Sequence, residues 1–164
     1  MTVKVMLQDI KKLETEALVV GFFEDVRPLN GLAGELDWLL CGSLSRLILE
    51  KKMIGSLGDV ALLTSQGKVP VRKIFMVGLG SRAAFSSATL RRVAAATAAS
   101  IAGAGVRSAA IECFQLSEVQ ADSCVSALQE GLTEGAGGRR LEVALLAPDT
   151  AAFERLSRSI KAQM

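Results

Sequence analysis

The segment TVKVML (residues 2–7) alternates polar and apolar positions, the period of a strand with one covered face. ALVVGFF (17–23) is nearly continuous in its apolar residues, as expected of a strand buried on both sides. A polar loop carrying proline and glycine, EDVRPLNGLAG, follows. In ELDWLLCGSLSRLILEKKM, Leu36, Leu39, Leu40, Leu44, Leu47 and Ile48 then recur at three- and four-residue spacings. That spacing predicts helix, with Gly42 placed to break it in two. DVALLT (59–64) and RKIFMVGL (72–79) read as strands joined by the turn-forming SQGKVP, which allows a hairpin.

Beyond residue 80 the pattern becomes regular. Ser86 or Ser87 caps an Ala-rich helix to about Ala102, closed by GAG. Its run of Ala94, Ala95, Ala96, Ala98 and Ala99 suits close packing against a sheet. SAAIECF (108–114) is a strand, and Ser117 is expected to open a helix to about Leu132, leaving EGAGGRR as a loop. LEVALLA (141–147) is a strand, and Pro148 with an Asp149 cap opens the final helix. The order ββαββαβαβα implies parallel crossovers in the second half and antiparallel pairing in the early hairpin. The expected fold is α/β: a three-layer α/β/α sandwich on a mixed sheet of about six strands, with residues 1–164 as one domain.

Composition narrows the chemistry. Half the residues are hydrophobic, and 19 basic against 17 acidic residues leave a net charge of +2. A full core is expected, and no charge-seeking partner is implied. Basic residues come as scattered doublets, with one Trp and no Tyr, so the aromatic–basic interleaving of nucleic-acid binding is missing. No apolar run reaches the roughly 20 residues of a membrane span, and Met1 opens onto a strand-like segment rather than a signal peptide. Three widely spaced cysteines, Cys41, Cys113 and Cys124, fit reduced packing thiols, so the cytoplasm is the expected compartment.

The chain has no histidine, which removes Ser-His and Cys-His pairs and every His-containing zinc site. What remains is a loop. In KIFMVGLGSRAAFSSATLRR an apolar strand stops at Gly78-Leu79-Gly80-Ser81 before a helix, the setting in which backbone N–H groups cradle phosphate. The third glycine of a dinucleotide fingerprint is replaced by Ala83, and no acidic residue ends a following strand at the required distance. A structural turn is therefore the favoured reading. Glu24, Asp25, Glu35 and Asp37 could form a metal or paired-acid site, but acidic residues are ordinary in loops and at helix starts. Trp38, in the apolar flank LDWLLCGSL, is expected to anchor a core or a subunit contact.

The segments ALVVGFFEDVRPLNGLAGELDWLLCGSLSRLI and GSLGDVALLTSQGKVPVRKIFMVGLGSRAAFSSATLRRVAAATAASI together resemble the N-terminal domain of leucyl aminopeptidases, the cytosol aminopeptidase family. The likeness covers roughly residues 3 to 134 and, more loosely, the final strand and helix. It implies a macrodomain-like fold that in full enzymes sits beside a C-terminal, hexamer-forming catalytic domain with two metal ions. That domain's lysine, aspartates and glutamate, including an Asn-Thr-Asp-Ala-Glu-Gly-Arg motif, have no counterpart here. No catalytic residue, metal or cofactor is therefore expected of this chain by itself. It is either a free-standing relative or one half of a protein whose other half does the chemistry. The role implied is structural, oligomerising or regulatory, through self-association or an aminopeptidase-type partner.

The macrodomain likeness carries an alternative, a binder of ADP-ribose or a related nucleotide. It would place Asp9 and Ile10 at the adenine, Asn30, Gly31 and Gly34 in a first phosphate loop, and Gly78, Gly80 and Ser81 in a second. The macrodomain Asn-Ala-Ala-Asn is replaced here by GFFE, which brings Phe22 and Phe23 to the pocket. Glu24 and Asp25 would repel a diphosphate.

Overall fold

The computed structural model describes residues 1–114 and 121–164. Six strands, β1 (Thr2–Leu7), β2 (Ala17–Phe22), β3 (Val60–Thr64), β4 (Lys73–Gly78), β5 (Ser108–Glu112) and β6 (Glu142–Ala147), form one sheet in the order β1-β6-β5-β2-β4-β3. All neighbours are parallel except β3 and β4, which pair antiparallel from Val60↔Val77 to Thr64↔Lys73. The mixed sheet and the hairpin agree with the hydrophobic pattern.

Strand alternation divides the core. Val19, Phe75, Val77, Ile111 and Leu145 point to one face, which is covered by α3 (Ser87–Gly103), α4 (Ala121–Ala136) and α5 (Thr150–Ala162). Leu18, Val20, Phe22, Ile74 and Met76 point to the other, beneath α1 (Gly31–Leu39) and α2 (Ser43–Leu49). With both faces covered, β2 and β4 can be apolar almost throughout, which is why they read as continuous runs.

Local signals end the helices where expected. Gly42, at φ 79°, separates α1 from α2, since only glycine adopts that conformation without strain. The Ser86 side chain accepts from Thr89 N–H in a capping box, and Asp149 accepts from Ala152 N–H at 2.7 Å, each satisfying a donor the helix cannot. Ser117 lies outside the described residues.

One boundary differs from expectation: α4 continues through Gly135 to Ala136 instead of ending near Leu132. Packing is the reason. A Cβ at Gly131 would lie 2.3 Å from the Arg91 carbonyl oxygen, and one at Gly135 would lie 2.0 Å from that of Ala95. These two glycines, one turn apart, let α4 touch the α3 backbone. The alanine run therefore serves a helix neighbour as well as the sheet, and helix continues through residues that look like a loop.

Gly135→Ala should destabilise the domain by roughly 1–3 kcal/mol, although alanine is the better helix former by about 1 kcal/mol. Gly103→Ala, where a Cβ meets nothing within 4 Å, should be neutral or mildly stabilising. Urea unfolding of both variants measures the contrast, and equal effects would refute the close-approach account.

Candidate functional site

The upper end of β2 is where the sheet's hydrogen bonding fails first. Its ladder with β5 runs only from Ala17↔Ala109 to Val19↔Ile111, whereas its ladder with β4 continues to Phe22↔Gly78. The Gly21 N–H consequently has no backbone partner on β5, and the Glu112 side chain supplies one: its Oε2 accepts from Gly21 at 3.1 Å. The backbone N–H of Leu32, in the first turn of α1, also favours the charged form of Glu112. The Asn30 cap of α1 makes no side-chain hydrogen bond, and the carboxylate lies near the helix N-terminus, where a negative charge is favoured. Gly31, at φ 57°, brings that turn up to the carboxylate: a Cβ there would sit 3.5 Å from Glu112 Oε1.

Around this carboxylate lies a cleft of about 40 Å³, walled by Phe22, Phe23, Leu29, Leu79 and Phe114, with Arg82 and Asn30 at its polar side. That volume admits one or a few waters. Nucleotide-sized sites run to about 300–1,000 Å³. The Phe114 ring closes the floor, so near that a Cβ on Gly21 would be 2.4 Å from it.

Of the residues singled out by the resemblance, the structure brings Asn30 and Gly31 to this cleft. Asp9 caps a short 3-10 turn, its carboxylate accepting from Lys11 N–H at 3.1 Å, and Ile10 is buried in the core. Gly34 packs against the Leu29 carbonyl. The Gly78–Ser81 turn is held by its own chain. Gly78 N–H donates to Asp59, Leu79 N–H to Phe22 and Gly80 N–H to Gly55, at 2.8, 2.9 and 2.9 Å. A Cβ at Gly78 would lie 2.1 Å from the Ser56 oxygen, which explains the first glycine, and φ 72° explains Gly80.

Asp25, expected to repel a phosphate, instead accepts from Arg82 N–H at 3.1 Å and from Ser81 Oγ at 3.4 Å. The helix that follows begins only at Ser87, its first turn already capped. Glu112, Gly21, Arg82 and Phe114 were not singled out from the sequence. A lone acidic residue ending an apolar strand was the one signal available.

Burial pushes the Glu112 carboxyl up from an ordinary 4.5 to about 7, against the two amides that favour its charged form. Burial, then the adjacent Glu112 charge, pushes the Cys113 thiol to about 12, and burial also raises Cys124. Neither is a nucleophile near neutrality. Cys41 is exposed and accepts from Lys68 Nζ at 3.3 Å. Among the described residues no group of three or more Cys, Asp or Glu is placed to hold a metal ion.

A mixed six-stranded sheet between two helical layers, with its cleft at the carboxyl end of β2, defines a macrodomain-like domain. The Oceanobacillus iheyensis macrodomain with ADP superposes with a TM-score of 0.78 at 10% identity, covering 98% of this chain and 90% of that one. A tomato leucine aminopeptidase superposes with a TM-score of 0.73 at 21% identity, covering 97% of this chain and 35% of that one. Residues 19–136 match the cytosol aminopeptidase family, N-terminal domain, and the chain belongs to that family. A probable cytosol aminopeptidase of Geobacter sulfurreducens is 32% identical over 135 residues, which are 82% of this chain and 27% of the relative. The chain thus spans about a quarter of that relative's length.

The linkage sign for Glu112 follows from its raised value. Between pH 4.5 and about 7 the folded chain keeps a proton that the unfolded chain has released. This contribution to stability is full below 4.5 and is lost as pH rises through 7. Glu112→Gln should match wild type at pH 5 and exceed it at pH 8 by up to roughly 3 kcal/mol. Thermal melts across that range check this, and a pH-independent difference would contradict it.

Proposed function

We propose that this chain acts as a non-catalytic domain of the cytosol aminopeptidase type, with a structural, oligomerising or regulatory role. The observation that carries the reading is the extent of the match: the family's N-terminal domain alone, in a stretch that covers 27% of the relative. Catalysis and its two metal ions belong, on this reading, to a domain outside these residues. The partner is a second copy or an aminopeptidase-type chain. The relatives' name, cytosol aminopeptidase, supports a cytoplasmic setting, and no helix among the described residues is long and apolar enough to cross a membrane.

Two features of the surface and the loops support this role. Trp38 and Leu49, on the α1–α2 layer, are 79% and 82% exposed, and aromatic residues of this kind anchor subunit contacts. Of the two alternatives for Trp38, core or subunit contact, that exposure removes the first, and the second is part of the proposal. The amides of Gly78, Leu79, Gly80 and Arg82 are meanwhile taken by the chain itself. The nucleotide alternative has the fold likeness in its favour, and a phosphate contact to any of these four would first have to displace its bond.

Sedimentation velocity across a wide concentration range should show reversible association, or a stable complex when a family aminopeptidase is added. Titration calorimetry with ADP-ribose, AMP and inorganic phosphate should show no heat. A strictly monomeric chain that ignores the aminopeptidase would end the association reading. Micromolar ADP-ribose binding would put the nucleotide reading in its place.

A further inference from the structure

The sheet ends on one side at β3, whose outer edge meets no further strand among the described residues. β3 pairs with β4 from Val60↔Val77 to Thr64↔Lys73. At the two ends of that ladder, Ser65 N–H donates to the Arg72 carbonyl at 3.0 Å and Gly78 N–H to that of Asp59 at 2.8 Å. In an antiparallel pair, residues that exchange both backbone bonds alternate with residues that exchange none. Counted in twos from those bonds, Ala61 and Leu63 spend their N–H and C=O groups on β4. Val60, Leu62 and Thr64 turn theirs outward.

The side chains of these three lie together on the face that α3 covers further in. Val60 still packs partly on the core there, but Leu62 is 53% exposed and Thr64 is exposed as well. Open edges are ordinarily blunted by a charge, a proline or a bulge. β1, at the opposite edge, carries the exposed Lys4. The VALLT of β3 has neither charge nor proline, and its ladder is regular through all of Val60–Thr64.

We propose that β3 is the surface through which two copies of this chain associate, joined antiparallel about a two-fold axis at Leu62 so that their sheets become one. The inference rests on the association reading and names its contact. A second copy is the occupant because the strand complements itself. With the axis at Leu62, that residue meets its own counterpart and Val60 meets Thr64, so the outward groups exchange about six backbone bonds. Each side-chain pair across the axis is uncharged, and Val and Thr favour strands. The ends match too. Exposed Asp59 precedes the strand, and exposed Lys68 and Arg72 lie at its hairpin end. Antiparallel joining brings the acidic end of each copy toward the basic end of the other. One short strand per copy makes a small interface, which suits a concentration-dependent contact.

Sedimentation velocity of wild type, Leu62→Lys, Leu62→Glu and an equimolar mixture of the two variants tests it. Wild type should dimerise as its concentration rises. Each variant alone should dimerise at least about tenfold more weakly, because like charges then face each other at the axis. The mixture should recover, because opposite charges do, and recovery shows that both variants are folded. Variants that weaken without recovery in the mixture would overturn the two-fold register. Variants that dimerise like wild type would overturn the edge contact, and if Trp38→Ala then abolished the dimer, association would stand on another surface. A wild type that is monomeric at every concentration would also overturn it, leaving the association reading only an aminopeptidase-type partner.

Discussion

The backbone hydrogen bonds that β2 cannot make beyond Val19 govern the upper end of this domain. β5 stops pairing there while β4 continues, so one side of β2 loses its ladder at the wall of the cleft, where the Gly21 amide is part-buried. An amide left without a partner in such a place costs up to about 1–3 kcal/mol. Glu112 answers it, with its carboxylate beside the first turn of α1, and Phe114 fits beneath because Gly21 has no side chain.

Carboxylates stand at both loops that resemble phosphate cradles. Glu112 sits at the α1 start, and Asp25 sits on Ser81 and Arg82 beside the Gly-Leu-Gly turn. Both loops keep glycines of the kind that anion binding uses, and several of their N–H groups are spent on internal contacts. The Asp25 charge, expected to repel a phosphate, is used to hold Ser81 and Arg82.

Most of the fold was legible because the strands are apolar for a simple reason. Strands covered on both faces need near-continuous hydrophobic runs, and ALVVGF and KIFMVG could hardly be read otherwise. Caps were equally plain, since Ser86, Asp149 and Gly42 each fill a role that few residue types can. The end of α4 was hidden: Gly131 and Gly135 look like loop residues until the Arg91 and Ala95 carbonyls are seen pressing on them. The site was hidden more deeply. Glu112 gains its meaning from Gly21 and Leu32, 91 and 80 positions earlier, and no local period records such a contact. Gly78 and Gly80, which stood out in the sequence, have their reason in backbone packing against residues 55–59.

A carboxylate in such a place is a compromise between two needs. The amides of Gly21 and Leu32 want an anion, and the apolar walls of Phe22, Leu79 and Phe114 oppose one. A neutral glutamine would end the opposition and leave one amide short, whereas a free anion at the same spot would have to be held against solvent at every exchange. Tethering the charge to β5 removes the entropic cost of binding it and leaves only the cost of burial, which appears as a carboxyl that gives up its proton reluctantly. The stability surrendered above neutrality and the partnered end of β2 are therefore two consequences of one carboxylate, and neither can be changed by substitution at Glu112 without changing the other.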